Sequence, residues 1–217
     1  MAARPYSDFV SLIAPSVPGC PNPTIQSYVA RAAREVCERT LAYRYSHDEV
    51  TLTAADFSYT YAPPANTEVH GIISAKVNTA RVMVLPYEQV QSKYPLWPST
   101  DADQQGQPLY ITQFSPTQYY LAPTPDAVET YDLNMVVALK PTISATGLEA
   151  EIANELETAI QHRALQHLLV LPEKPWSDRE LAAYHAKQYI FSVTERRARA
   201  NVGPGGGVLT ARGNSFS

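Results

Sequence analysis

The sequence predicts an α+β fold: a three-helix core, an antiparallel β-sandwich or barrel-like insertion between its first and second helices, an extended N-terminal arm and a C-terminal tail. Three observations lead there. Apolar residues recur with three-four spacing over residues 24–47 and 142–202, and with a spacing of two over 48–141, the periods of a helix stripe and of a half-buried strand. Proline and glycine gather where the period changes. Each predicted helix has a single apolar face that it cannot bury alone, so packing the first against the second and third is the economical arrangement.

The arm spans residues 1–23. Four prolines and Gly19 fall within residues 15–23, a composition that disfavours helix and suits a stiff extended segment or turn. The first helix opens with Asn22 as N-cap and Pro23 at its first position. Ile25, Tyr28, Val29, Ala32, Val36 and Cys37 form its buried stripe, leaving Arg31, Arg34, Glu35 and Glu38 for the other face.

Within the β insertion, residues 48–141, alternation is clean in three places. Val50, Leu52 and Ala54 share one face; Phe57, Tyr59 and Tyr61 share another after a tight reversal at Ala55 and Asp56. Tyr131, Leu133, Met135, Val137 and Leu139 make the last strand, and residues 69–77, 81–85, 109–114 and 119–122 supply the rest. A short helical turn is expected over 86–94 and an exposed loop over 96–108.

The second helix opens at Thr146 with Glu149 three residues on, a capping-box spacing, and runs to about residue 171 through Leu148, Ile152, Leu156, Ala159, Ile160, Leu165, Leu168 and Leu169. The third has Ser177 as N-cap, Glu180 closing the box and Trp176 placed to staple onto Leu181. Leu181, Tyr184, Tyr189, Phe191 and Ala198 are its expected apolar contacts, and Arg196, Arg197 and Arg199 suit the negative end of its dipole. Residues 203–217, with three consecutive glycines, form a tail expected to be flexible alone.

Composition narrows the function classes. The 217 residues are 45% hydrophobic, enough for a real core. With 17 Lys+Arg against 21 Asp+Glu, net charge −4, the chain lacks the basic footprint of a sequence-reading nucleic-acid binder. Cys20 and Cys37 are far apart without further ligands at zinc spacing, so buried reduced thiols are expected, with cytosolic synthesis. The apolar stretch 9–14 is interrupted by Ser11 and closed by Pro15, which argues against a signal peptide, and no apolar run has the length of a membrane span; a soluble protein is expected.

Reactive constellations are not evident. No serine lies in a nucleophile elbow, and Gly203-Pro204-Gly205-Gly206-Gly207 lacks the Lys-Ser/Thr of a phosphate cradle. His162 and His167 are five positions apart, roughly 140° around a helix, and do not form an i, i+4 metal pair; His47, His70 and His185 have no recognisable partners. No catalytic, cofactor or metal site is expected. Trp97 and the many tyrosines raise the alternative of a carbohydrate-binding β module, against which most tyrosines fall at alternating core positions.

Several segments, in order, resemble the head-to-tail adaptor (connector) proteins of tailed bacteriophages, especially short-tailed ones. Pro15-Ser16-Val17-Pro18-Gly19-Cys20-Pro21 is similar to that family's opening arm, and Glu35-Val36-Cys37-Glu38-Arg39-Thr40 to its first-helix ending. Gln107-Pro108-Leu109-Tyr110 and Tyr120-Leu121-Ala122-Pro123-Thr124-Pro125-Asp126 resemble its paired strands and Pro-x-Pro-Asp corner. Leu168-Leu169, Pro172, Pro175-Trp176-Ser177-Asp178 and Arg196-Arg197-Ala198-Arg199 resemble its interhelical turn and last helix; Arg163 departs from it, standing where a small residue such as Gly is expected.

The resemblance implies a non-enzymatic virion protein, made in the host cytoplasm, that forms a twelvefold homo-oligomeric ring beneath the portal protein. Such a ring has heterologous contacts, carries tail nozzle or tail-fibre proteins, and lets DNA pass as cargo; the 14 tyrosines suit large interfaces. Candidate portal-docking residues are Arg196, Arg197, Arg199, Val208, Leu209, Arg212 and Phe216. Glu149, Glu151, Glu155 and Glu157 have two readings, a solvated helix start favoured by the dipole or a channel lining that repels phosphates. A stopper or tail-completion protein is the alternative virion joint.

Overall fold

The computed structural model describes residues 3–98, 101 and 105–202. The chain opens with β1 (Ala3–Pro5), a 3-10 turn (Tyr6–Phe9), the single turn α1 (Val10–Ile13) and a second 3-10 turn (Ala14–Ser16). This corrects the expected extended arm. Tyr6, Phe9, Ile13 and Val17 are all buried, and their spacing of three, four and four is itself a helical stripe that the prolines at 15 and 18 only terminate.

Helix α2 (Asn22–Thr40) begins at the residue predicted as its cap, one position before the predicted Pro23, with Pro21 in extended geometry ahead of it. Ile25, Val29, Ala32, Ala33, Val36 and Cys37 form its buried face. It stops at Thr40, the end of the segment that resembles the family's first-helix ending and within the 24–47 segment assigned to the helical core, where Leu41 takes a left-handed φ of 53° and the Thr40 hydroxyl bonds back to the Val36 carbonyl at 2.8 Å. Residues 44–46 are instead the strand β2 (Arg44–Ser46).

The β strands continue as β3 (Val50–Thr51), β4 (Ser58–Thr60), β5 (Thr67–Val77) and β6 (Ala80–Val84). The helix α3 (Tyr87–Lys93) intervenes before β7 (Tyr110–Gln113), β8 (Gln118–Ala122) and β9 (Asp132–Pro141). They form one eight-stranded sheet in the order β2-β9-β5-β6-β7-β8-β4, with β3 also on β9. Of the two expected forms, sandwich or barrel-like, the sheet takes the second: it is a single sheet curled into a half-barrel. Two register shifts along the β5–β9 ladder, at Val69/Gly71 and Ile72/Ser74, supply the local bend. The sheet is antiparallel except at β6–β7, which pair in parallel because the intervening excursion carries the chain back in the same direction.

Alternation in β9 works as the sequence predicts: Leu133, Met135, Val137 and Leu139 are buried in the main apolar cluster. Behind them β10 (Gly147–Glu149) pairs with β1, followed by α4 (Ala150–Leu169) and α5 (Arg179–Val202). The Thr146–Glu149 capping box does not form, since the Thr146 carbonyl accepts the Tyr6 N–H at 3.0 Å and the next three residues belong to the β1 ladder. Gly147 is required there: a Cβ would sit 2.6 Å from the Arg4 carbonyl oxygen. The cap of α5 is Asp178, whose carboxylate accepts both the Glu180 and Leu181 N–H groups at 2.9 Å, one residue beyond the predicted Ser177.

α2, α4 and α5 touch one another, and α2 also lies against β9. The helices do not close a core of their own: one apolar cluster runs from Phe9 and Ile13 through α2 and α4 into β5, β8 and β9. A smaller cluster on the other face of the sheet joins Val90 of α3, Trp97 and Ala122.

Candidate functional site

Charged side chains sew the elements together along two seams. Between α2 and α4, Glu35 accepts from Arg163 Nε at 2.5 Å and from Arg31 Nε at 3.1 Å, with His167 Nε2 at 3.4 Å. Burial pushes the Glu35 carboxyl upward, but Arg163, then Arg31 and His167, outweigh it and hold it below the usual carboxylate range. Between α2 and the sheet, Arg34 and Lys140 share Glu68, Lys140 also reaches Glu38 at 2.7 Å, and Arg34 caps the Pro141 carbonyl at 2.9 Å. Glu68 is likewise held low by Arg34 and Lys140 against the effect of burial.

The four acidic candidates are dispersed by their partners. Glu149 is half-buried beside Tyr43, whose hydroxyl is pushed up to about 12 by burial and then by that carboxylate. Glu157 pairs with Arg4 at 2.6 Å and Glu155 with Arg196 at 3.4 Å. Glu151 is exposed and has no ion pair among the described residues. Arg196 therefore ties α5 to α4, joining a docking candidate to a channel candidate, while Arg197 is exposed. Arg199 lies further along α5; Val208, Leu209, Arg212 and Phe216 are outside the described residues.

The face of α5 turned away from α4 is apolar and bare. Tyr184 is 53% exposed, Ile190 61% and Phe191 70%, although the sequence assigned Tyr184 and Phe191 to the core. Of the expected aromatic contacts only Tyr189 is buried, because α5 packs on one side only and its apolar residues occupy more than one face.

Two features escape sequence reading. His162 and His185 meet across α4 and α5, their Nδ1 atoms 2.9 Å apart, so one ring N–H donates to the other ring. Both are held below the ordinary histidine value by burial, and His185 further by His162. Only the relative register of the two helices reveals the pair. Trp97, expected in an exposed loop, is buried, its indole N–H donating to the Leu121 carbonyl at 2.8 Å while Phe57, Tyr87 and Tyr120 pack around it. It is thus no open stacking platform for a sugar ring.

Both cysteines are buried thiols; burial, then Glu38, pushes Cys37 up to about 12, well outside the reactive range. Among the described residues no group of three or more His, Cys, Asp or Glu is placed to hold a metal, and no helix is long and apolar enough to cross a membrane.

A stitched interior with large apolar side chains left open on α5 and elsewhere on the surface is the build of a protein that works through its surfaces. The chain belongs to the SU10 adaptor protein family, whose model matches residues 4–208, and is thereby a structural adaptor of a bacteriophage virion. No curated protein matches it.

Proposed function

We propose that the chain is a head-to-tail adaptor, one copy of a twelvefold ring beneath the portal that joins the capsid vertex to the tail and surrounds the DNA path. The observation that carries this reading beyond the family is the bare face of α5. Three large apolar side chains on one helix, each more than half exposed, mark an area a partner covers.

In this arrangement Arg197, with Arg199 and the residues at 208, 209, 212 and 216, faces the portal, the β sheet faces tail nozzle or fibre proteins, and Glu151 is the acid best placed to line the channel. Glu149, Glu155 and Glu157 serve first as intramolecular partners. The protein needs no catalytic group for this role. Cyclic contacts would use two different surfaces of each copy.

Light scattering of the purified protein, alone and with its cognate portal, tests the proposal. A discrete ring complex formed with portal is expected. Absence of association under any condition would overturn the reading.

A further inference from the structure

The β5–β6 hairpin carries a feature that neither the core nor the adaptor reading uses. Lys76 and Arg81 stand directly opposite each other across the two strands, both exposed. Like charges in that register repel, and neither has an ion-pair partner among the described residues. They form one wall of a recess of about 510 Å³ that is also lined by Ser46, Ser74, Thr79 and Asn134. Two cations, three hydroxyls and an amide converge on a space large enough for an anionic group.

The surroundings of the recess select the kind of anion. Glu49 lies at the rim, accepting from Asn134 Nδ2 at 2.7 Å, and Asp132 follows two residues before Asn134, accepting from the Thr51 hydroxyl at 2.8 Å. A duplex presenting a phosphate every ~1.7 Å would be drawn over those carboxylates, whereas one acidic side chain would not. Val136 lines the recess and Met83, 55% exposed, lies on the adjoining strand, so apolar contact is offered beside the charge. Finally, β7 pairs only with Met83 and Val84 of β6, leaving Ala80, Arg81 and Val82 without a strand on that side among the described residues. An open edge beside a charged recess suits an extended polypeptide.

We infer that this recess receives an acidic side chain from an extended segment of a protein partner, with Lys76 and Arg81 holding the carboxylate. The site is independent of the α5 face and stands whether or not the chain forms a ring.

The test is titration of the isotope-labelled full chain with a short peptide alternating glutamate and valine, its glutamine counterpart, and a short DNA duplex, followed by backbone amide shifts. The acidic peptide is expected to shift amides around residues 74–82 and 134–136, and raised salt to reverse this. Lys76→Gln with Arg81→Gln is expected to weaken the response by about tenfold or more, the effect of losing charge-assisted contacts, while leaving the remaining spectrum unchanged. No shift with the acidic peptide, an equal shift with the glutamine peptide, or a response to duplex alone would each overturn the inference.

Discussion

Arg163 and Glu35, 128 residues apart in sequence, form the hinge pin of the helical layer: the guanidinium Nε lies 2.5 Å from the carboxylate while its Cζ sits 4.8 Å from the centre of the Tyr189 ring. One side chain of α4 thus holds α2 by charge and α5 by a cation–π contact. A small residue is the expectation at this position, and Arg163 makes a three-helix contact there that a glycine could not make. Arg163→Met is expected to cost about 1–2 kcal/mol, between the values for exposed and buried pairs, since both side chains are largely but not fully shielded. Urea unfolding of Arg163→Met, Glu35→Gln and the double variant would measure the coupling.

Acid should loosen the α4–α5 contact. His162 and His185 have folded values below the ordinary 6.5, so the unfolded chain takes up protons first as pH falls, and stability declines from about pH 6.5 downward. Tyr184, packed edge-on against His185 at 5.2 Å, supplies no charge to offset this. His185→Gln is expected to flatten the pH dependence of the urea midpoint between pH 7 and 5.5, against a limiting slope of about 1.4 kcal/mol per pH unit for each histidine. An unchanged slope would remove the pair from the account.

A second, lower window belongs to Glu35 and Glu68. Their folded values lie below the usual carboxylate range, so their contribution is complete above about pH 4.5 and is lost as pH falls through the folded values. Glu68→Gln should reduce the loss of stability below pH 4.5 while leaving the His162–His185 contribution in place, read from the same midpoint series. It should steepen the contribution of His70, whose lowering by burial, Lys140 and Arg34 the Glu68 carboxylate opposes.

Gly147→Ala should detach the first strand. The added methyl meets the Arg4 backbone, which cannot move aside without opening the β1–β10 ladder. A loss of about 1–3 kcal/mol is expected, with earlier proteolytic cleavage ahead of Phe9.

Ile190→Ser with Phe191→Ser should leave the monomer's stability within about 0.5 kcal/mol, since both side chains are mostly solvated. Assembly with portal should fail in the same variant. Retained assembly, judged by light scattering, would assign the α5 face no role.

What the sequence makes legible is local. The alternation of β9, the limits of α2 to within a residue at its start, and the turn α3 all follow from patterns inside one segment. The N-terminal stripe at Tyr6, Phe9, Ile13 and Val17 was equally present but masked by the proline-rich stretch that ends it. Cap positions moved because a strand from elsewhere took Thr146 and its neighbours, and because Asp178 reaches two N–H groups where Ser177 donates to Leu169. Arg163–Glu35 and His162–His185 depend on how helices distant in sequence are set against each other, which no spacing within either helix encodes.

The long β5–β9 pair has a mechanical consequence. Strands of 11 and 10 residues reach roughly 35 Å at the usual rise, from the seam where Arg34 of α2 and Lys140 share Glu68 to the hairpin that bears Lys76 and Arg81. The register shifts at Val69/Gly71 and Ile72/Ser74 bend that span, while residues of both strands and of α2 and α4 share one apolar cluster that backs it. A load placed on the hairpin is therefore passed along the paired strands to the apolar contacts that join the sheet to the helical layer.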